Sequence, residues 1–328
     1  MASARDKVIK AAEMEAVDLA VRLRNKIGSA THGIEDEAAK VLGRKLGIKP
    51  DDKPMPDYME KLILTRIDWC DRLVRSFFRD NPNGMVLDMG AGLGTGFHRL
   101  EGSITAPGVS WVELEERTII ASAKKKILGE TERYRIVPHV LDELTWTMKV
   151  HWKPGRPLMV LADRTMCRMR LDKAISVLMA VHSGFGGGDA PVFLAFDHAL
   201  KPATFVAGAA KAFVEVPPTD WPDQFQPTAL LKGQEHSWNT MRETDFIGMQ
   251  PGPIRFLSKI RKLGVEDPIF GGTMLKMEKQ SGEARNFADV DTSIERIDSG
   301  YDMDDGGYGG DFDDGDYGAP DRDGPSGY

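Results

Sequence analysis

Residues 85–96 read MVLDMGAGLGTG, a short apolar run that passes directly into a glycine-rich loop. The run Met85–Met89 has the length of a buried β-strand, and Gly84 and Gly90 bound it. Glycines after a strand allow a tight turn into a helix and let a ligand approach the backbone closely. This stretch therefore predicts the opening strand of an α/β sheet, with a ligand site at its carboxyl end.

Further apolar runs of strand length follow and alternate with helical patterns. The predicted strands are Val109–Leu114, Tyr134–Val137, Leu158–Ala162 and Val192–Phe196. Between the first two of these, Ile120, Ala123 and Ile127 recur at the spacing of one helix face. Alternation of strand and helix implies parallel strands joined by right-handed crossovers, with helices on both faces. The predicted fold class is α/β, a doubly wound, Rossmann-like sheet.

The chain divides into three predicted regions. Residues 1–83 form an N-terminal helical segment that packs on the core as a cap, residues 84–285 form the ligand-binding domain, and residues 286–328 form a tail. The clearest helix of the cap carries an apolar stripe that consists of Ile63, Ile67, Cys70, Val74 and Phe77. An Asn-Pro-Asn-Gly run at residues 81–84 ends this helix.

The second half of the domain has a less regular pattern. Ile254–Leu263 predicts a helix, and the prolines and tryptophans of Pro217–Trp238 indicate a lid or an insertion that faces the substrate. Residues 269–275 predict a hairpin that turns at Gly271 and Gly272.

The negative charge of the chain is concentrated in its tail. Residues 301–328 contain 9 Asp, 8 Gly and a single basic residue, Arg322. Such a segment cannot bury enough apolar surface to offset its chain entropy, so we expect it to be disordered. The whole chain has a net charge of -7, so the first 300 residues sum to +1. A nearly neutral body offers no footprint for a phosphate backbone, and no nucleic-acid partner is expected.

The remaining bulk features favour a cytoplasmic protein. The first ten residues are charged and lack an apolar segment behind them, and no apolar stretch is long enough to span a membrane. The two cysteines, Cys70 and Cys167, fit a reduced protein better than a disulfide scaffold. Neither a membrane partner nor a metal site is predicted.

The register of the glycines bears on the class of ligand. A dinucleotide fingerprint needs glycine at its first, third and sixth positions, and the sixth position is Thr95 counted from Gly90 or Phe97 counted from Gly92. A nicotinamide-dependent oxidoreductase is therefore a lesser alternative. No Gly-Lys-Ser or Gly-Lys-Thr follows, so a Walker loop is excluded. Asp88 at the end of the strand, before Gly-Ala-Gly, suits a cofactor that carries an amino acid moiety.

Carboxylates at the ends of the next strands are consistent with a nucleoside ligand. Glu115 stands at the tip of the second strand, where a carboxylate accepts hydrogen bonds from ribose hydroxyls. Asp142 follows the third strand and is a candidate acceptor for the exocyclic amine of an adenine. Asp163 ends the fourth strand.

Residues 57–196 resemble the leucine carboxyl methyltransferase family, which includes polyketide O-methyltransferases of the tetracenomycin type. The segments that carry the resemblance are Leu64–Asp68, Val86–Leu100, Trp111–Glu115 and Glu132–Arg135. The resemblance implies a class I methyltransferase fold, S-adenosylmethionine as methyl donor, and an O-methyl ester or ether as product.

The resemblance also implies roles for individual residues. Arg66 corresponds to an arginine that grips the methionyl carboxylate, and Gly90, Ala91 and Gly92 correspond to the loop under the cofactor. By the same correspondence, Glu115 stands at the ribose position, Asp142 at the adenine position and Asp163 at a position usually held by glutamate.

The chain departs from the family pattern in two places. Gly94 and Gly96 replace an aspartate and an arginine in the loop. After the fourth strand, Arg164 replaces a glycine and Arg168 replaces a tyrosine that faces the substrate. These changes motivate a second hypothesis, a catalytically degenerate member that serves as an interaction module.

Methyl transfer from a sulfonium depends mainly on positioning and on exclusion of water. The expected acceptor is a small molecule, polyketide-like, or a protein carboxyl group. A carboxylate acceptor needs no general base, whereas a hydroxyl acceptor needs one, for which His98 and His139 are the candidates. Arg168, together with Arg164, is a candidate for binding an anionic acceptor.

Overall fold

The computed structural model describes residues 3–28, 33–52, 54–141, 145–199, 227–234, 237–249 and 270–278. The predicted tail at 286–328, the predicted helix at 254–263, most of the predicted lid at 217–238 and the candidate Asp142 lie outside these residues. The boundaries predicted for the three regions of the chain stay a prediction.

Seven strands in the described part of the chain form one mixed sheet. They are β1 (Met85–Met89), β2 (Ser110–Glu115), β3 (Tyr134–Pro138), β4 (Leu158–Ala162), β5 (Val192–Ala199), β6 (Trp238–Asp245) and β7 (Phe270–Met277). The order across the sheet is β3-β2-β1-β4-β5-β7-β6. The first five strands are parallel, and β7 runs antiparallel to both β5 and β6. The predicted doubly wound α/β fold is confirmed.

The predicted hairpin across Gly271 and Gly272 is wrong, because both glycines lie within the single strand β7. A Cβ atom added to Gly272 would lie 2.6 Å from Cζ2 of Trp69. Glycine at this position therefore serves close packing against a helix and not a turn.

Helices cover both faces of the sheet. In chain order they are α1 (Ala4–Ala11), α2 (Glu13–Arg24), α3 (Glu37–Leu46), α4 (Asp57–Asp80), α5 (Gly96–Leu100), α6 (Thr118–Leu128), α7 (Trp146–Lys149) and α8 (Leu171–Phe185), with a further short helix at Pro227–Leu231. The helices α4 and α5 pack on one face of the sheet, and α7 and α8 pack on the other. No helix in the described ranges is both long and apolar enough to cross a membrane.

The long helix α4 carries most of its predicted stripe into the core. Ile67, Cys70, Val74 and Phe77 are buried, whereas Ile63 is only half-buried. Arg66, which precedes Ile67 of this stripe, is also buried, at 4% exposure. A buried guanidinium group requires anionic partners, so we expect carboxylates around Arg66.

The N-terminal helices pack against the glycine loop and α6. Apolar residues of α1, α2 and α3 form a core with Leu93 of the loop and Ile120 of α6. A buried ion-pair network ties α2 and α3 to α5, because Asp36, the N-cap residue of α3, binds both Arg22 of α2 and Arg99 of α5, at 3.0 Å and 2.9 Å. The N-terminal segment thus lies directly over the loop that follows β1.

The strand order indicates where on the sheet a ligand would bind. Strand β1 lies between β2 and β4, so the direction of winding reverses between β1 and β4. In open α/β sheets, ligands bind outside the carboxyl ends of the strands at such a reversal. The glycine loop and Asp163 follow β1 and β4 at this edge, and Glu115 is the last residue of β2.

Candidate functional site

The glycine loop has the backbone conformation that its sequence predicts. Gly90 and Gly92 have φ angles of 65° and 51°, which residues with a side chain rarely adopt. The amide of Gly90 donates to the carbonyl of Leu114, and a Cβ atom at Gly90 would collide with Oγ1 of Thr165. The same Thr165 hydroxyl donates to the carbonyl of Met89, at 2.7 Å. The loop is therefore held tightly between β2 and the turn after β4.

Arg66 already holds a carboxylate. Its Nη2 atom pairs with Asp18 of α2, and its Nε atom lies 2.9 Å from Oδ1 of Asp163. The other oxygen of Asp18 lies 2.6 Å from Nη1 of Arg164. Burial alone would raise the pKa of Asp18, but Arg164 and Arg66 together hold that pKa well below its ordinary value. Asp18 is thus a charged carboxylate clamped between two guanidinium groups.

Asp163 is a carboxyl of this cluster with a raised pKa. Burial raises its pKa to about 6, and Asp197 and Asp18 add to the effect while Arg66 opposes it. Asp197 also fixes the turn after β4, because its Oδ1 atom accepts the amide of Arg164 at 2.7 Å. This bond supports Arg164 in a left-handed backbone conformation, with a φ of 55°.

Glu115 lies within hydrogen-bond distance of the loop. Its Oε2 atom accepts the amide of Gly92 at 2.7 Å, and its Oε1 atom accepts from Nε of Arg117 at 2.7 Å. The side chain is 2% exposed. The structure therefore brings Glu115 to the predicted place beside the loop, while its role toward a ribose stays a prediction.

Glu15, a second acidic residue of α2 after Asp18, covers the glycine loop close to Glu115. Oε1 of Glu15 lies 3.0 Å from Nη2 of Arg117 and 3.3 Å from Nη1 of Arg168. A Cβ atom added to Gly92 would lie 2.5 Å from Cγ of Glu15. The face of the loop that a ligand would approach is therefore in contact with α2.

A cavity of about 80 Å³ remains between α2, the loop and the ends of β1 and β4. Of the predicted site residues, Arg66, Asp88, Gly90, Ala91 and Asp163 line it. Asp88 is half-buried opposite Glu113 on β2, and desolvation together with that neighbour raises its pKa well above its ordinary value.

This cavity tests the predicted cofactor against the structure. The donor set fits S-adenosylmethionine, because paired guanidinium groups bind a carboxylate and Glu115 stands beside the glycine loop. The volume of the cavity, about 80 Å³, does not fit S-adenosylmethionine, because ligand sites usually measure roughly 300–1,000 Å³. With α2 in this position, the carboxylates of Glu15 and Asp18 take up the place that such a ligand needs.

The two candidate histidines lie elsewhere in the described part of the chain. The ring of His98 packs on Tyr134, with ring centroids 4.8 Å apart, and burial lowers its pKa. His139 is half-buried, and its Nε2 atom lies 3.3 Å from Oγ1 of Thr145. Neither ring is among the residues that line the cavity. Arg168 does reach the site, through its contact with Glu15.

Sequence reasoning missed Glu15, Asp18 and Arg117. The only signal in the sequence is that Glu15 and Asp18 are three residues apart and so share one face of a helix. That pattern is common on solvated helices, and it does not reveal which surface the helix covers.

Comparison with known proteins bears on the fold. No family model matches the chain, and no curated protein matches it in sequence. A candidate methyltransferase of Thermobifida fusca superposes with a TM-score of 0.51 at 13% identity, over 81% of this chain and 94% of that one. A DUF574 family protein of Streptomyces avermitilis superposes with a TM-score of 0.52 at 13% identity, over 83% of this chain and 100% of that one.

The chain has the class I methyltransferase fold. The antiparallel β7 also departs from the order 3-2-1-4-5-6 of dinucleotide-binding domains. Likeness at 13% identity concerns the fold alone. Membership of the leucine carboxyl methyltransferase family therefore stays a prediction.

Proposed function

We propose that the chain is an S-adenosylmethionine-dependent O-methyltransferase that acts on a carboxylate or hydroxyl group of a small molecule or on a protein carboxyl group. The observation that carries this proposal is the clamp of Arg66 and Arg164 around the carboxylate of Asp18, at the reversal of the strand order. A methionyl carboxylate has the same charge and the same two acceptor oxygens as the Asp18 side chain.

The residues of the site divide the proposed binding task. Arg66 and Arg164 would hold the carboxylate, the backbone of Gly90 and Gly92 would lie under the ligand, and Glu115 would accept from the ribose. The cofactor itself supplies the activated methyl group, so the protein has to orient the acceptor and exclude water.

The arrangement favours a carboxylate acceptor over a hydroxyl. A carboxylate is already a nucleophile at neutral pH, whereas a hydroxyl must lose a proton to a nearby base. Neither His98 nor His139 lines the described cavity. Asp163 does line it, with a pKa raised to about 6, so it is the better placed candidate base if the acceptor is a hydroxyl.

Binding of S-adenosylhomocysteine tests the proposal by calorimetry. Arg66→Met removes a charged hydrogen bond worth about 1.5–3 kcal/mol, so the dissociation constant should rise by roughly 10- to 150-fold. Arg79→Met is the matched control, because Arg79 lies on the same helix and its side chain is 72% exposed. Arg66→Lys keeps the charge and serves if the first variant does not fold.

Methyl transfer is measured separately, by mass spectrometry of small molecules and lysate proteins after incubation with deuteromethyl cofactor. Binding of S-adenosylhomocysteine but not of NADH, with loss in the Arg66 variants alone, would support the proposal. Failure of the wild-type chain to bind the cofactor would refute it.

A second candidate is a degenerate methyltransferase fold that serves as an interaction module. The observation in its favour is the small volume of the cavity, about 80 Å³, with α2 in the place of a ligand. Binding without any methyl transfer to any acceptor, or no binding at all, would favour this second function.

A further inference from the structure

The helix α2 presents two carboxylates to the proposed site. We propose that α2 is a built-in competitor of the cofactor: the carboxylate of Asp18 occupies the anchor that Arg66 and Arg164 offer to a methionyl carboxylate, and this part of α2 gives way when the cofactor binds. The inference rests on the proposed function and adds to it a closed state of the same site.

The charges around α2 carry the first step. Glu15 and Asp18 are three residues apart on α2. Together they contact four arginines, one on α4 and three that follow β2 or β4: Arg66, Arg117, Arg164 and Arg168. Because Arg66 and Arg164 are enclosed, with side chains 5% and 16% exposed, they cannot be left without an anion at low cost. A ligand carboxylate could replace that of Asp18 with no change in the local charge.

The space beside the glycine loop is too small for the cofactor while α2 stays in this position. Cγ of Glu15 blocks the approach to Gly92, and the volume of the cavity is about 80 Å³. A site for a nucleoside with an amino acid arm needs at least roughly 300 Å³. Both Glu15 and Asp18 take up this space from the same face of α2, so the proposal has the amino-terminal part of the helix move.

The two ends of α2 are anchored differently, which indicates where it would move. Near the carboxyl end, Arg22 donates to the carbonyl of Leu93, to Thr95 and to Asp36, all within the buried network. At the other end, the N-cap residue is Ala12, which has no side chain that can cap the helix. The first turns therefore lack a side-chain cap and are held through Glu15 and Asp18, whose contacts with arginines a ligand carboxylate would replace.

Hydrogen exchange distinguishes a competitor from a lid that closes over its ligand. Saturating S-adenosylhomocysteine should increase amide exchange in residues 13–18 of the wild-type chain if this turn is displaced. A lid would become more protected on binding. Increased protection of this turn would overturn the inference even if the cofactor binds.

Ligand affinity gives a second and independent measurement. Asp18→Asn removes the competing charge, so S-adenosylhomocysteine should bind roughly tenfold more tightly, whereas 5′-methylthioadenosine, which has no carboxylate, should change little. Glu13→Gln is the matched control, because Glu13 lies on the same helix and is exposed. Equal changes for both ligands, or weaker binding of the first, would contradict the inference.

A third measurement separates failure of the inference from failure of the proposed function. In Asp18→Asn, Arg66 and Arg164 lose the carboxylate that they share, so sodium acetate should raise the melting temperature of this variant and not that of the wild type, relative to sodium chloride at equal ionic strength. Acetate stabilisation without any nucleoside binding would refute the proposed function but retain the exchangeable carboxylate site. No acetate effect would refute the exchangeable site itself.

Discussion

The substitution Asp36→Asn tests the ion-pair network that ties the N-terminal helices to the glycine loop. The Asp36 side chain is 1% exposed, and its Oδ2 atom accepts from Arg22 at 3.0 Å, from Arg99 at 2.9 Å and from the hydroxyl of Thr95 at 2.5 Å. Its Oδ1 atom caps α3 by accepting the amide of Ala39 at 2.9 Å. Asparagine keeps the volume and the cap, so the variant removes mainly the charge.

The expected loss in the free energy of unfolding is about 2–3 kcal/mol. Removing one partner of a buried ion pair usually costs about 3–5 kcal/mol, and the lower end applies because Arg99 keeps two bonds to Asp71, at 2.8 Å and 2.7 Å. The pKa of Asp36 leads to a similar figure: burial would raise it, but Arg22 and Arg99 lower it from 3.8 to about 2. A shift of that size corresponds to about 2 kcal/mol.

Urea denaturation of the wild type and the variant at pH 7 measures this loss. The control is Asp80→Asn, since Asp80 pairs with Arg79 on the surface and its side chain is 59% exposed; it should change stability by less than about 1 kcal/mol. Because the folded pKa of Asp36 is depressed, its contribution is present above pH 3.8 and is lost as the pH falls toward 2. The difference between wild type and variant should shrink across that window. A difference below about 1 kcal/mol at pH 7 would refute the reasoning.

Two further predictions concern stability, and urea denaturation measures both. Lys124→Met leaves Glu113 without its cation in the core, where both side chains are 1% exposed, so the free energy of unfolding should fall by about 3–5 kcal/mol. Adding Glu113→Leu should recover most of that loss. Additive losses in the double variant would contradict this. Gly92→Ala should cost more than Gly155→Ala, roughly 3 against 1 kcal/mol, because both glycines have positive φ angles but only Gly92 faces a side chain, that of Glu15. Equal losses would mean that Glu15 moves aside freely.

The parallel part of the sheet could be predicted closely from the sequence. The structure confirms Met85–Met89 and Leu158–Ala162 at both ends, because glycine, proline or charged residues bound each apolar run sharply. The last parallel strand extends past Phe196 to Ala199, through polar residues that pattern alone does not assign. The pair Gly271-Gly272 misled the prediction, since glycine favours a turn locally but here serves packing against Trp69.

The candidate site was predictable where its residues follow strands. Glu115 is the last residue of β2 and Asp163 comes directly after β4. A parallel sheet brings all such strand ends to one edge, so the strand pattern alone places them together. Arg66 was found only through family resemblance, because a single arginine on a helix is usually exposed. The sequence also indicates His98 and His139 as candidate bases, but it does not show where a side chain points, and neither ring lines the cavity.

The sequence alone determined the glycine loop, the five parallel strands and the edge of the sheet at which a ligand would bind. Only the tertiary structure decided that Asp18, separated from Arg66 by 48 positions, supplies the carboxylate at that edge. The physical reason is the distance along the chain over which the deciding interactions act. Strand and helix patterns arise from interactions within a few residues, whereas the surface that α2 covers depends on how three helices share one apolar core with the loop and α6.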